Sequence, residues 1–579
     1  MFPGQKLPDT SLNDLLVVSW RHDQDHSGDP RYPSDPPRVL CHADSLAGFT
    51  AHQDNRSRIR QQLLENCEQY VLNYLPTHLL RIRDMSLVTR TEFWEAERSR
   101  VEHSLQDDLE TWTEPMEDDG TSSPSRDKHT PTQVDENAET DTVRHHPTMR
   151  PTGSSSSCYL KYIRGLFKFA IFSHRWGDDE PQFRDIVDKH LIGNPTIGYE
   201  KLLRFCQRAT ADFDCYYVWS DTCCINKESS VELDEAIRSM YRWYSIATVC
   251  IVHLAESLTI CDFESEPWFT RGWTLQELLA PQVIKFYGKD WKPICREENQ
   301  KGDKAVKEIW DAIAKITRIP PTDLWHFLPS CDRVAEKMTW ASQRKTTKIE
   351  DIAYSLLGLF DVSLPIAYGE GDRAWYRLMA VIANECTDAS FFAWAGRPSP
   401  YSRALPASPA SYSKLDPHTP ISVFNRRHPS YEVNKLGVSI KMLVVPARCN
   451  ILEDRDGREI GYTVIPHDLE SFLIGADVTH DRIEEYKLGI VNFRPCGPGD
   501  AAQVIVQDEC HCMVLAKERT DDKGWVLVNT ECVVVVRCLR GIYALPETVL
   551  LYHGRTAKAL RIRAHRYYPA TETVDHESD

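Results

Sequence analysis

The spacing of apolar positions changes character along this chain. Between Arg58 and Leu75, residues Leu63, Leu64, Cys67, Val71 and Leu72 recur at helical intervals, and Pro76 predicts where that helix stops. A second helix is predicted from Thr91 to Leu109. From about 159 to 295, short apolar runs alternate with amphipathic stretches. Phe169–Ser173 and Cys215–Trp219 read as buried strands, separated by a helix over Tyr199–Ala211 with Leu202, Leu203, Cys206 and Ala209 on one face. Ser229 and Glu232 form a capping-box pattern, and Leu233, Ala236, Ile237, Met240, Tyr241 and Tyr244 follow at helical spacing. A strand over Val249–Leu254, a helix over Arg271–Leu279 and a strand over Gln282–Tyr287 complete the series. Continuous apolar strands between amphipathic helices predict a parallel α/β sheet covered on both faces. Residues 296–395 read as helical, most clearly over Ile349–Phe360 and Arg373–Asn384. Beyond about 400 the pattern turns to strands, at Gly437–Val445, Lys487–Phe493, Ala502–Val506 and Cys532–Arg537.

Composition sharpens the boundaries. Residues 1–104 form an N-terminal extension, partly helical and largely irregular, since the first 55 or so are rich in Pro, Asp, His and Ser. Residues 105–158 are acidic and rich in Ser, Thr and Pro; such a stretch cannot bury enough apolar surface to offset its ordering entropy, so a disordered linker is expected. The α/β domain spans 159–295, a helical region 296–400 and a β-rich C-terminal domain 401–579. A net charge of −17 with no clustered Lys/Arg stretch argues against nucleic acid as a partner. The 18 cysteines are scattered; Cys223-Cys224 and Cys510-His-Cys512 lack a second pair at zinc spacing, so no metal site is expected and the thiols read as reduced. No apolar run is long enough for a membrane span, and Met1–Lys6 leads into no signal-peptide core. A cytoplasmic location is the expectation. No phosphate-binding Gly-x-x-x-x-Gly-Lys-Ser/Thr loop is present.

Candidate chemistry collects in three blocks where apolar runs give way to polar residues, the positions that strand ends of a parallel sheet occupy. Ser173, His174, Arg175, Trp176 and Asp178 follow the first strand. Arg175 is suited to a pyrophosphate; the plain alternative is that it bridges Asp178 or Asp179 while His174 and Trp176 pack the turn. Asp221 ends the second strand, placed either to meet a ribose hydroxyl or Arg175, or to stabilise the turn before Cys223. Arg271, Trp273 and Glu277 make up the third block. Trp273 and Glu277 are four apart and fall on one helical face, either as a ring beside an acid or as a core Trp beside a surface carboxylate.

In order and spacing, Ser173-His-Arg-Trp-Gly177, Trp219-Ser-Asp-Thr-Cys-Cys-Ile-Asn226 and Trp268-Phe-Thr-Arg-Gly-Trp-Thr-Leu-Gln-Glu-Leu-Leu-Ala-Pro281 resemble the signature of the fungal heterokaryon-incompatibility (HET) domain. Met338–Ser342, Glu350–Gly358 and Tyr368-Gly-Glu-Gly371 resemble the helical segment that accompanies it. Ser220 departs from the apolar residue more usual there, and nothing before 159 matches. The resemblance implies a flavodoxin-like fold similar to TIR domains, whose enzymatic members cleave NAD at the nicotinamide–ribose bond. Trp273-Thr-Leu-Gln-Glu277-Leu278 resembles the TIR pattern Trp-Cys-x-x-Glu-Leu, with Thr274 in place of cysteine, and so implies Glu277 as the catalytic carboxylate. It would stabilise an oxocarbenium-like ribosyl cation and orient water, as carboxylates do in glycoside hydrolysis. NAD is then a substrate, no bound cofactor is expected, and Ser173, His174, Arg175, Trp176, Asp178, Asp221, Arg271 and Trp273 would bind it. The same resemblance implies non-self recognition, programmed cell death, self-association and an unidentified activating protein. Two other readings stand beside it: a non-catalytic association module, and a cysteine hydrolase using Cys223 or Cys224 with His174.

Overall fold

The structure, a computed structural model, describes residues 53–110, 155–191, 195–295, 302–385, 388–414, 431–453, 459–475, 483–496, 501–518, 525–530, 532–553, 561–562 and 564–566. The expected linker lies mostly outside them, but its two ends are helical. The chain divides into two units, one of residues 1–75 and 90–168, the other of 76–89 and 169–579.

Three helices make up the described part of the first unit: α1 (Gln53–Tyr74), α2 (Arg90–Glu110) and α3 (Ser155–Leu166). The apolar stripe that predicts α1 is the buried one, with Leu63, Leu64, Cys67 and Val71 inside. Tyr70 stacks on Phe167 with ring centroids 6.0 Å apart, and Phe93 packs on the same ring. Both helices expected in the N-terminal extension are present, and the irregular stretch expected over the first 55 or so residues lies almost wholly outside the described residues. The aromatic burial comes from within α1 and α2 and from the residue just after α3, Phe167. Residues 159–168, expected to open the α/β domain, belong with these helices.

The second unit holds a mixed six-stranded sheet. Its strands are β1 (His78–Arg81), β2 (Ser86–Thr89), β3 (Ala170–His174), β4 (Tyr217–Trp219), β5 (Val249–His253) and β6 (Ile284–Tyr287). Their order is β2-β1-β4-β3-β5-β6; β4, β3, β5 and β6 run parallel, and the β1–β2 hairpin adds antiparallel to β4. All residues of β3 to β6 are buried, the continuous apolar pattern of a sheet covered on both faces. Short α4 (Phe183–Val187), then α5 (Ile197–Phe213), α6 (Ser230–Ile246) and α7 (Thr274–Leu279) connect the strands. Ser229 caps α6 by accepting the Glu232 N–H. The other half of the expected capping box is redirected: Glu232 accepts from the Asn226 N–H at 3.0 Å and meets His78 Nδ1 at 2.9 Å, which fastens the hairpin to α6.

Six more helices follow: α8 (Lys307–Thr317), α9 (Pro321–His326), α10 (Val334–Ala341), α11 (Asp351–Tyr354), α12 (Leu357–Phe360) and α13 (Arg373–Glu385). The single helix expected over 349–360 is thus two short ones. Around them the sequence blocks interlock. Glu350 accepts the N–H groups of Gly369 and Gly371, both at positive φ, and the Tyr368 hydroxyl donates to Asp351. Glu370 in turn takes the Tyr354 hydroxyl and Arg377. The C-terminal region is mainly antiparallel, with a short parallel pair, Asn529–Thr530 on Arg561–Ile562. A 17-residue strand, Gly437–Glu453, pairs first with Glu547–Tyr552 and then with Ile483–Ile490 and Glu459–Pro466, over a core that includes Leu443, Val464, Leu488, Ile490 and Val514.

The helical region also reaches the strand ends. The Gly272 N–H donates to the Lys345 carbonyl at 2.8 Å, and the Lys345 N–H donates to the Thr270 carbonyl at 2.7 Å. A Cβ on Gly272 would stand 2.4 Å from Thr346 Cγ2, whose side chain is fixed by its hydroxyl bond to the Lys348 carbonyl. Gly272→Ala is expected to push this crossing apart and to cost about 1–3 kcal/mol, the usual range for overpacking, seen as a lower urea midpoint with unchanged m-value.

Candidate active site

β3 lies between β4 and β5, so the direction of strand progression reverses at it, and the crevice beyond the carboxyl ends of such strands is where ligands meet this kind of sheet. Ser173, paired in register with Val252, and Glu277 from α7 meet there, 1% and 5% exposed. The Ser173 hydroxyl donates to Glu277 Oε2 at 2.5 Å and accepts from the Trp268 indole N–H at 2.8 Å. Trp268 sits in a 3₁₀ turn, Pro267–Thr270, whose start is capped by buried Glu266. One serine thereby satisfies two buried polar groups from another part of the chain.

The surroundings of Glu277 set its proton. Burial raises its pKa and the nearby Asp221 carboxylate adds to this, while the Ser173 hydrogen bond, Arg271 and Arg344 pull it back; the result is about 7. Tyr244, whose hydroxyl donates to the Phe172 carbonyl, is pushed well above the ordinary phenol range by burial and by the Glu277 charge. Cys250 Sγ lies 3.9 Å from the Glu277 carbonyl. A carboxyl that titrates near neutrality is suited to giving or taking a proton at physiological pH.

The other expected site residues divide. Asp221 accepts both ways from the exposed Trp176 indole, at 3.0 and 3.1 Å, and Lys227 Nζ stands 4.1 Å over that ring. Arg271 lies within electrostatic reach of Glu277. Arg175 does not bridge Asp178 or Asp179; it pairs with Glu256 at 2.8 Å, both about half exposed, a pair of little energetic weight. Asp178 is exposed. His174 is buried, stacked on Phe172 at 4.1 Å, with Nε2 3.4 Å from Glu180; burial lowers its pKa. Burial works against ionised Glu180, but His174 and Lys201 outweigh it and hold that carboxyl down to about 2. Trp273 stands beside Asp351 and so faces the helical region, which leaves Trp268 as the indole linked, through Ser173, to Glu277. Trp273 is the cap of α7, one residue before its first, Thr274.

Trp268, Tyr244, Lys227 and Arg344 also belong to this neighbourhood, although spacing gave them no role. Trp268 and Tyr244 stand in the sequence blocks as ordinary core aromatics; Arg344 carries no local signal. Cys223 and Cys224 are buried with sulfurs 4.0 Å apart, and Cys223 is held far above the usual thiol range by its Cys224 contact and by burial, which works against a thiolate at Cys223.

The architecture is thus that of a mixed α/β domain with a buried carboxylate at its strand ends. Residues 169–260 match the sequence model of the heterokaryon incompatibility protein (HET) family, and the chain carries a HET domain. The vegetative incompatibility protein HET-E-1 of Podospora anserina is 40% identical over 231 residues, 38% of this chain and 16% of that protein, so the chain matches a small share of its relative's length. No solved structure matches. Ser173 and Asp221 lie within the family match; Trp268, Arg271 and Glu277 lie beyond it.

A Glu277 pKa near 7, against 4.5 for the free side chain, means that the folded chain keeps a proton that the unfolded chain has released. Stability falls as pH rises through that window and levels off above it. Glu277→Gln is therefore expected to leave stability unchanged at pH 4 and to raise it by about 3 kcal/mol at pH 8, read by urea unfolding at both. Ser173→Ala strands two buried groups and is expected to cost about 2 kcal/mol or more.

Proposed function

We propose that this protein acts in vegetative incompatibility, as the name of its relative says of that protein, and that its HET domain triggers cell death by hydrolysing NAD. The observation that carries the reading is Glu277: a carboxyl with a near-neutral pKa, bonded to Ser173 where strand order reverses. The parallel strands, taken in chain order, stand 2-1-3-4, the order of flavodoxin-like sheets, which supports the TIR-like reading. In the reaction, water adds to the ribose C1′ as the bond to nicotinamide breaks. Glu277 orients that water, takes its proton and stabilises the developing ribosyl cation. Asp221 with Trp176, Lys227 and Arg271 would meet the rest of the dinucleotide. Self-association and an activating non-self protein belong to the same proposal, as does a cytoplasmic setting. No helix among the described residues is long and apolar enough to cross a membrane.

One observation favours the second reading, an association module without catalysis. Glu277 is enclosed, and its described bonds are internal. Nicotinamide release by the full chain, fused to an oligomerising partner, separates the two. Wild-type turnover that falls at least about 100-fold in Glu277→Ala and Glu277→Gln is expected. Killing retained by both variants without turnover in any would leave the association module.

A further inference from the structure

We propose that Arg344 is a positioning residue for Glu277, so that the strand-end site of the HET domain is completed by a side chain from the helical region. Its part in catalysis rests on the NAD reading above; its hold on the carboxylate does not.

Arg344 follows α10 and lies outside the 169–260 family match. The residue as a whole keeps some exposure, but its guanidinium end is inside: Nη2 has no accessible surface. Nη1 donates to the Arg271 carbonyl at 2.8 Å and to the Thr274 hydroxyl at 2.9 Å, and Nε meets the Trp340 carbonyl at 3.3 Å. Thr274 is the first residue of α7, three before Glu277, and its own hydroxyl donates to the Trp268 carbonyl at 2.6 Å. Trp268 then returns through its indole to Ser173, and Ser173 to Glu277. One guanidinium thus anchors the first turn of the helix that carries Glu277 and, through Thr274, the indole that fixes the serine on it. Thr274 stands where the TIR pattern has cysteine; a thiol there is a poor acceptor for such a tether, and a hydroxyl is a good one.

Nη2 has no hydrogen-bond partner among the described residues. A buried cation with a spare donor is costly unless an anion answers it, and the carboxylate of Glu277 is within its electrostatic reach. Burial lowers the Arg344 pKa to about 9, and Glu277 pushes it back up. The other charged or titratable groups facing Glu277 are Asp221 from the loop after β4, Arg271 from the turn before α7, Tyr244 from α6 and Cys250 from β5.

The test uses the full chain. Thermal unfolding is followed against pH for wild type and Glu277→Gln, and for the same pair carrying Arg344→Met, Arg344→Gln or Arg344→Lys. The pH at which the growing difference between the members of each pair levels off reports the titration of Glu277 in the folded chain. It is expected to move up by about one unit with Met or Gln and to return towards wild type with Lys. If Arg344→Met fails to fold, Arg344→Gln decides. A uniform loss of stability with no movement of that levelling-off in the neutral variants overturns the proposal. Where the wild type releases nicotinamide, its pH profile moves with the same variants. If the wild type releases none, the NAD reading fails while the unfolding data still decide on Arg344.

Discussion

A carboxylate taken out of water has to be answered by something, and most of the strand-end architecture can be traced to how Glu277 is answered. It sits on a helix of only six residues, Thr274–Leu279, too short to fix its own direction. Orientation comes from outside: Ser173 from the first parallel strand, Trp268 from the preceding turn, and the crossing at Lys345 that pins the backbone of Gly272. The nearby carboxylate of Asp221 works against the charge of Glu277, and the nearby cations work for it. Its position is fixed by hydrogen bonds from other elements, while its protonation state is left balanced near neutrality.

Much of the fold was legible because the parallel strands are buried on both faces and so read as unbroken apolar runs. Phe169–Ser173 and Val249–Leu254 were predicted to within a residue of β3 and β5. The helix through Met240 and Tyr244 was equally plain from its stripe and its Ser229 cap. The β1–β2 hairpin was not legible. Its strands have four residues each and lie between two long helices, and their partner β4 is far away in sequence. The split of 349–360 into two helices was hidden as well, since both turns present apolar residues to the same core.

At the site, the three sequence blocks do converge on the strand ends, but the roles within them are redistributed. Asp221 keeps to Trp176, His174 goes into packing with Glu180, and Arg175 turns to Glu256. Periodicity placed Trp273 beside Glu277, but the two have different neighbours: Trp273 faces Asp351 and Glu277 meets Ser173. Arg344 could not be found by any local rule, since its relation to Glu277 exists only through the fold.

The hairpin of residues 76–89 leaves the α/β domain discontinuous in sequence. The chain makes α1, crosses to pair Leu80 with Val218 and Arg81 with Tyr217, and goes back to make α2. A boundary drawn where the family resemblance begins would therefore cut through a hydrogen-bonded ladder and turn the three-residue strand β4 into a bare edge, open to pairing with other chains. For this domain to be inherited or exchanged as a working cassette, a hairpin that carries none of the family's motifs has to travel with it.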